Sequence, residues 1–166
     1  MRALVPSGRP GWLAAALAVL VLALLVAGGL LLPQWLEARA EEDRNADVLR
    51  AATAEVIAFT TLDYRDIEPS VERVLDGATG DFKEQFESSR PQLEQLSREN
   101  ESVSEGRVLE AGVVSMDDDS ATVVVVADSR VTNVNAPEPQ PRHYRLQLDL
   151  VLQGDRWLTS DLQFVG

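Results

Sequence analysis

Asp63-Tyr64 is the pair in this chain best suited to acid–base chemistry. A carboxylate can accept a proton and a phenol can donate one when both line a concave site. The same residues also suit a turn: an Asp ending a helix accepts backbone N–H groups of the next turn, while a Tyr packs its ring and lets its hydroxyl reach a partner. The turn is the stronger expectation, because nothing nearby completes a catalytic set. His143, the one histidine, falls on the polar side of an alternating segment and cannot build a zinc site without further nitrogen or sulfur ligands. Asp117-Asp118-Asp119 lack the alternating spacing of a calcium loop and read as a solvated turn. Asn100-Glu101-Ser102 fits a glycosylation sequon, which at three residues is a coincidence-grade match. With no cysteine there is no thiolate nucleophile, thiolate metal site or disulfide. The expectation is a protein without catalytic residues, cofactor or metal, and not an enzyme.

The elements that position these residues follow from periodicity. Leu36 to Leu62 reads as helix, with Leu49, Ala52, Val56 and Phe59 forming an apolar stripe. Glu41, Glu42, Arg44, Asp47 and Glu55 are assigned to its solvent face. Glu68-Pro69-Ser70 opens a short helix with Ile67, Val71, Val74 and Leu75 inward and Gly77 as a left-handed cap. Thr79-Gly80-Asp81 starts a third helix, carrying Phe82 and Phe86 one turn apart, with Pro91 set to kink or split it and Leu93 and Leu96 continuing its buried side. Ser97 to Gly106 is polar and ends the helical half. Four strands then follow at Arg107–Met116, Ala121–Thr132, His143–Leu152 and Arg156–Val165. In the third, Tyr144, Leu146, Leu148, Leu150 and Leu152 alternate with polar residues, the mark of an antiparallel strand with one wet face. The segment 135–141, with three prolines, is expected to be a stiff loop. Helices followed by antiparallel strands make an α+β fold: about three helices packed on a curved four-stranded antiparallel sheet, as in the cone of nuclear-transport-factor-like domains and of the type IV secretion assembly subunit.

Trp12 to Leu32 is 21 residues without a charge. At about 1.5 Å per residue that is roughly 31 Å of helix, enough to cross a bilayer's hydrocarbon core. Trp12 and Trp35 fall at its two ends, where headgroups favour indole rings. Ala38-Arg39-Ala40 has the small-x-small form of a signal-peptidase site, but the apolar run exceeds an ordinary signal peptide and Glu37 and Arg39 crowd that site. The expected layout is a cytoplasmic tail (1–11), a single N-terminal transmembrane helix (12–32), a stalk helix (33–48) with a kink at Pro33, and an extracytoplasmic domain (49–166). Gly28-Gly29 would let another helix approach closely. Beyond Ala40 the chain holds 12 basic against 26 acidic residues, a net charge of −14. Such a surface repels phosphate backbones and anionic headgroups, so nucleic acid is excluded as a partner.

The stretch FTTLDYRD, then VLDGATGDF, then Phe86, set behind one N-terminal span and ahead of a β-rich half, resembles the Mce-associated membrane proteins. The matching positions are Phe59, Leu62, Asp63, Tyr64, Leu75, Asp76, Thr79, Gly80, Phe82 and Phe86. That resemblance implies a non-enzymatic accessory protein that stabilises or assembles an Mce-type importer of fatty acids or sterols. Its expected partners are Mce transporter subunits, other Mce-associated membrane proteins and the lipid bilayer. Two alternatives share the anchor and fold: a lipid carrier holding an acyl chain or sterol against Phe82, Phe86 and the leucine row, and an assembly subunit of a secretion-type membrane complex.

Overall fold

The structure, a computed structural model, describes residues 11–166, with side chains described at Trp12, Ala16, Leu17, Val19, Leu20, Leu22, Arg39 and from Glu41 onward. Helix α1 (Gly11–Thr60) is followed by a two-residue strand β1 (Leu62–Asp63), a single 3₁₀ turn (Tyr64–Asp66), and helices α2 (Ile67–Gly77) and α3 (Gly80–Glu99). Four long strands complete the chain: β2 (Val103–Met116), β3 (Ser120–Asn133), β4 (Ala136–Gln153) and β5 (Arg156–Phe164). The chain divides into a unit ending at Asp43 and a compact unit Arg44–Gly166. Among the described residues no helix is long and apolar enough to cross a membrane. Residues 1–10 of the expected tail lie outside the described residues, and the side chains of Gly28-Gly29, Pro33 and Trp35 and most of those in the span 12–32 are not described, while the backbone there is part of α1. Within that span Trp12, Leu17, Val19, Leu20 and Leu22 are exposed.

The Arg44–Gly166 unit is an α+β fold in which the helices pack on a curled antiparallel sheet of order β1-β2-β3-β4-β5. Its core follows from two periods meeting. Residues two apart on β3 (Ala121, Val123, Val125, Ala127) and on β4 (Leu146, Leu148, Leu150) bury one face of the sheet, and residues four apart on α1 (Val48, Ala52, Val56) cover it. Each fully buried leucine or valine here contributes about 1.5–3 kcal/mol relative to exposure. On α2, Ile67, Val71 and Val74 are buried as expected, while Leu75 is half-buried.

Five details correct the sequence expectations. The sheet has five strands, because Leu62 and Asp63 leave the helix and pair with Ser104 and Val103. β4 begins at Ala136, seven residues earlier than expected, and takes in the prolines. Arg145's carbonyl accepts from Val165 N–H at 2.9 Å on the β5 side. Strand residues alternate in direction, so Pro141 and Pro139 turn their missing N–H groups to that same side. There β5 has already ended, at the pair Phe164–Leu146, and nothing requires a donor. Third, α3 is a single helix with Pro91 inside it. Fourth, Leu96 is exposed, and Ser97 takes the buried position in that turn. Last, Gly77 ends α2 in ordinary backbone geometry, and the left-handed residue is Gly80 at φ 55°.

Candidate functional site

The residues of the 59–86 stretch part into three places. Phe59 at the end of α1 meets Phe82 and Phe86 of α3, with ring centroids 6.4 Å away in each case, and Phe82 and Phe86 lie 6.1 Å apart. Phe164 joins from β5 at 6.2 Å. These tilted rings form a packing seam between the helices and the sheet edge. A small cavity of about 130 Å³ adjoins it, lined by Phe59, Leu62, Val71 and Phe86 among others. Drug-sized ligands occupy roughly 300–1,000 Å³, so the seam does not offer room for a sterol. The leucine row expected to line such a pocket is core: Leu146, Leu148 and Leu150 are at most 1% exposed.

Asp63 and Tyr64 occupy the turn. Asp63 Oδ1 accepts from Arg65 N–H at 3.0 Å and from Arg65 Nε at 2.8 Å, and Oδ2 accepts from its Nη2 at 2.6 Å. The Arg65 side chain, and then its backbone N–H, hold the Asp63 carboxyl below its ordinary range. Tyr64 N–H donates to Ser102 at 3.1 Å, and the Arg65 guanidinium sits 5.8 Å from the phenol ring. The Asp63 carboxylate and the Tyr64 backbone N–H thereby fix the passage from β1 into α2.

Asp76, Thr79 and Gly80 lie on the far side, against the β4–β5 hairpin. Arg156 Nη2 donates to Asp76 Oδ2 at 2.8 Å and to its carbonyl at 3.0 Å. Thr79 N–H donates to the Thr159 carbonyl at 2.8 Å, and Gln153 Nε2 donates to the Thr79 hydroxyl at 3.0 Å.

Between α1, α2 and that hairpin runs a groove of about 630 Å³. Glu55 lines it, yet is only 3% exposed, and its Oε1 is buried without a hydrogen-bond partner. Burial, and then the negative charge of Asp76, push its carboxyl up from 4.5 to about 8. Assigning Glu55 to the solvent face is therefore corrected: it sits seven residues after Val48 and three after Ala52, inside the apolar stripe. That spacing was the available signal, masked by the residue's charge. Gly77 makes the position sterically feasible, since a Cβ there would lie 1.9 Å from Glu55 Oε2. Arg44, Arg50, Arg73 and Arg156 also line the groove, with Trp157 at its hairpin end. A second concavity, of about 460 Å³, holds His143. Its Nδ1 lies 2.6 Å from Asp128 Oδ1, and Arg107 Nη2 lies 3.2 Å from Asp128 Oδ2. Hydrogen bonds from His143 and Arg107 hold Asp128 below its ordinary range, with His143 the larger cause. Asp117, Asp118 and Asp119 are exposed in the β2–β3 turn, where Asp118 pairs with Arg44 at 3.4 Å. Among the described residues no three His, Cys, Asp or Glu gather as a metal site.

Known proteins share this architecture. An IcmL-like type IV secretion system protein of Legionella pneumophila superposes with a TM-score of 0.59 at 13% identity, over 72% of this chain and 91% of that one. CagV of Helicobacter pylori, a VirB8 homolog, does so with a TM-score of 0.58 at 8% identity, over 72% and 97%. At such identities the likeness shows the fold alone, helices packed on a curled antiparallel sheet. In sequence, a Mycobacterium tuberculosis protein described as uncharacterized protein Rv1363c is 32% identical over 151 residues. That match takes in 91% of this chain and spans 58% of the relative's length. With residues 11–166 also matched by the corresponding family model, this chain belongs to the family described as uncharacterized protein Rv1363c/MT1408-like.

Proposed function

We propose that this protein is a membrane-anchored, non-enzymatic assembly subunit whose Arg44–Gly166 unit lies outside the cytoplasm and binds subunits of an envelope transport complex. One observation carries the reading. Trp12, Leu17, Val19, Leu20 and Leu22 are exposed on α1 inside a 21-residue run without charge, a surface that water disfavours and acyl chains accept. Anchoring confines partners to two dimensions and raises their effective concentration without new contacts. Further support comes from the secretion-system proteins of the same fold, and from the turn in which the Asp63 carboxylate is engaged with Arg65 and the Tyr64 N–H with Ser102. The 59–86 stretch resembles the Mce-associated membrane proteins, which makes an Mce-type lipid importer the first complex to test. Crosslinking the full-length chain in native membranes, followed by affinity capture, is expected to recover transporter subunits and to lose them when Trp12–Leu32 is replaced by a cleavable signal. Capture of the same subunits by the released domain at equal yield would refute the anchored role.

A further inference from the structure

The Glu55 groove has the chemistry of a ligand site, and it lies apart from the aromatic seam. Its floor is a buried carboxyl whose Oε1 has no partner. An unpaired buried polar atom is a standing penalty that a ligand able to hydrogen-bond with it removes. The walls are basic within an acidic unit: four arginines line the groove against Asp47, Asp76 and Asp155. Three of those arginines are engaged, Arg44 with Asp118, Arg50 with Asp47 and Arg156 with Asp76. Arg73 is different. It donates to the Ser70 hydroxyl at 3.0 Å and, among the described residues, has no carboxylate within ion-pair distance.

The charged groups that line the groove with Glu55 are Arg44, Asp47 and Arg50 from α1, Arg73 and Asp76 from α2, and Asp155 and Arg156 from the hairpin, Asp76 being the one that acts on the Glu55 carboxyl. A cationic ligand would need Glu55 ionised beside Asp76, and burial opposes that ionisation. An anion needs the reverse: a carboxyl O–H to donate and a guanidinium to pair with. Alanines 51, 54 and 58, Leu152 and Trp157 supply apolar wall beyond the charged groups. We propose that this groove binds an amphiphilic anion, its carboxylate or phosphate head between Glu55 and Arg73 and its apolar tail along Ala51, Ala54 and Trp157.

The test is calorimetric titration of the full-length chain in phosphatidylcholine nanodiscs, with empty nanodiscs subtracted. The probes are octanoate, octyl phosphate and octylamine. Saturable binding of octanoate or octyl phosphate, with octylamine at least tenfold weaker, is expected, and the stronger anion names the head. Binding should weaken about tenfold from about pH 7 to about pH 9, as the Glu55 carboxyl loses the proton that it donates. Glu55→Gln should bind with that pH dependence gone, and Arg73→Gln should bind about tenfold more weakly. Ala54→Trp, placed on an exposed position of the groove wall, should block binding with the thermal midpoint unchanged. Octylamine binding as tightly as the anions, no saturable binding of either anion, or an unchanged pH profile in Glu55→Gln would each overturn the site. Loss of partner capture with anion binding intact would count against the assembly role alone.

Discussion

Glu55 shows how one side chain imprints itself on the stability of the unit. In an unfolded chain its carboxyl titrates near 4.5, while in the fold burial and Asp76 raise it to about 8. Between those values the native state holds a proton that the unfolded state has released, so ∂ΔG/∂pH is negative. Stability falls by about 1.4 kcal/mol per pH unit through that window and levels off above it. Asp63 and Asp128 work with the opposite sign, because their partners hold them below the ordinary range, so their contributions are lost only on acidification. Glu55→Gln keeps the shape and removes the charge. Chemical denaturation at closely spaced pH values should show the wild type losing stability from about pH 5 to about pH 8 and the variant losing much less. Equal slopes in the two proteins would mean that Glu55 ionises freely in the folded state.

At the scale of elements, the approach of α1 to α2 depends on a missing side chain. Gly77 Cα faces Glu55 Oε2, and an added Cβ would fall 1.9 Å from that oxygen. Gly77→Ala is therefore expected to cost about 1–3 kcal/mol by overpacking. In a Glu55→Ala background the same change should be neutral or stabilising by up to about 1 kcal/mol, because alanine is the better helix former. A double-mutant cycle by urea unfolding measures the coupling, and additive effects would disprove the contact. The contact also marks where sequence reasoning reached its limit. Alternation in Tyr144–Leu152 and the stripe through Ala52 and Val56 were legible, because burying one face forces a period of two on strands and of three to four on helices. Phe59 on the α1 stripe and the one-turn spacing of Phe82 and Phe86 were legible for the same reason, though not their meeting. Not legible was Glu55, whose charge argued for solvent, since its burial depends on Gly77 arriving from another helix. The strand at Ala136–Arg142 was equally hidden, because its prolines are tolerated only through facing an edge that β5 leaves open. Asp63's place in β1 depends on Val103, some forty residues away, and no local pattern reports such a pairing.

For the whole molecule the question is which part needs the membrane. The unit Arg44–Gly166 has its own core, from Val48 on α1 to Leu150 on β4, and a full antiparallel sheet. Its surface is acidic, the chain beyond Ala40 carrying −14, and such a surface is repelled by anionic headgroups. The uncharged run Trp12–Leu32 has the contrary property, so affinity for lipid and autonomous folding are expected to separate cleanly at the junction near Arg44. A fragment comprising residues 44–166 should stay in solution, give the circular dichroism of a mixed α/β protein, and melt within about 4 °C of the domain transition seen in the full-length chain. The full-length chain should stay with membranes through an alkaline carbonate wash, because about 20 apolar residues inserted as a helix are held far more firmly than a surface-bound domain. Carbonate release of the full-length chain would locate its membrane affinity in surface contacts. Retention of the fragment on vesicles would locate that affinity in the folded unit, and the groove at Glu55 and Arg73, lined by four arginines, would then be the surface to mutate first.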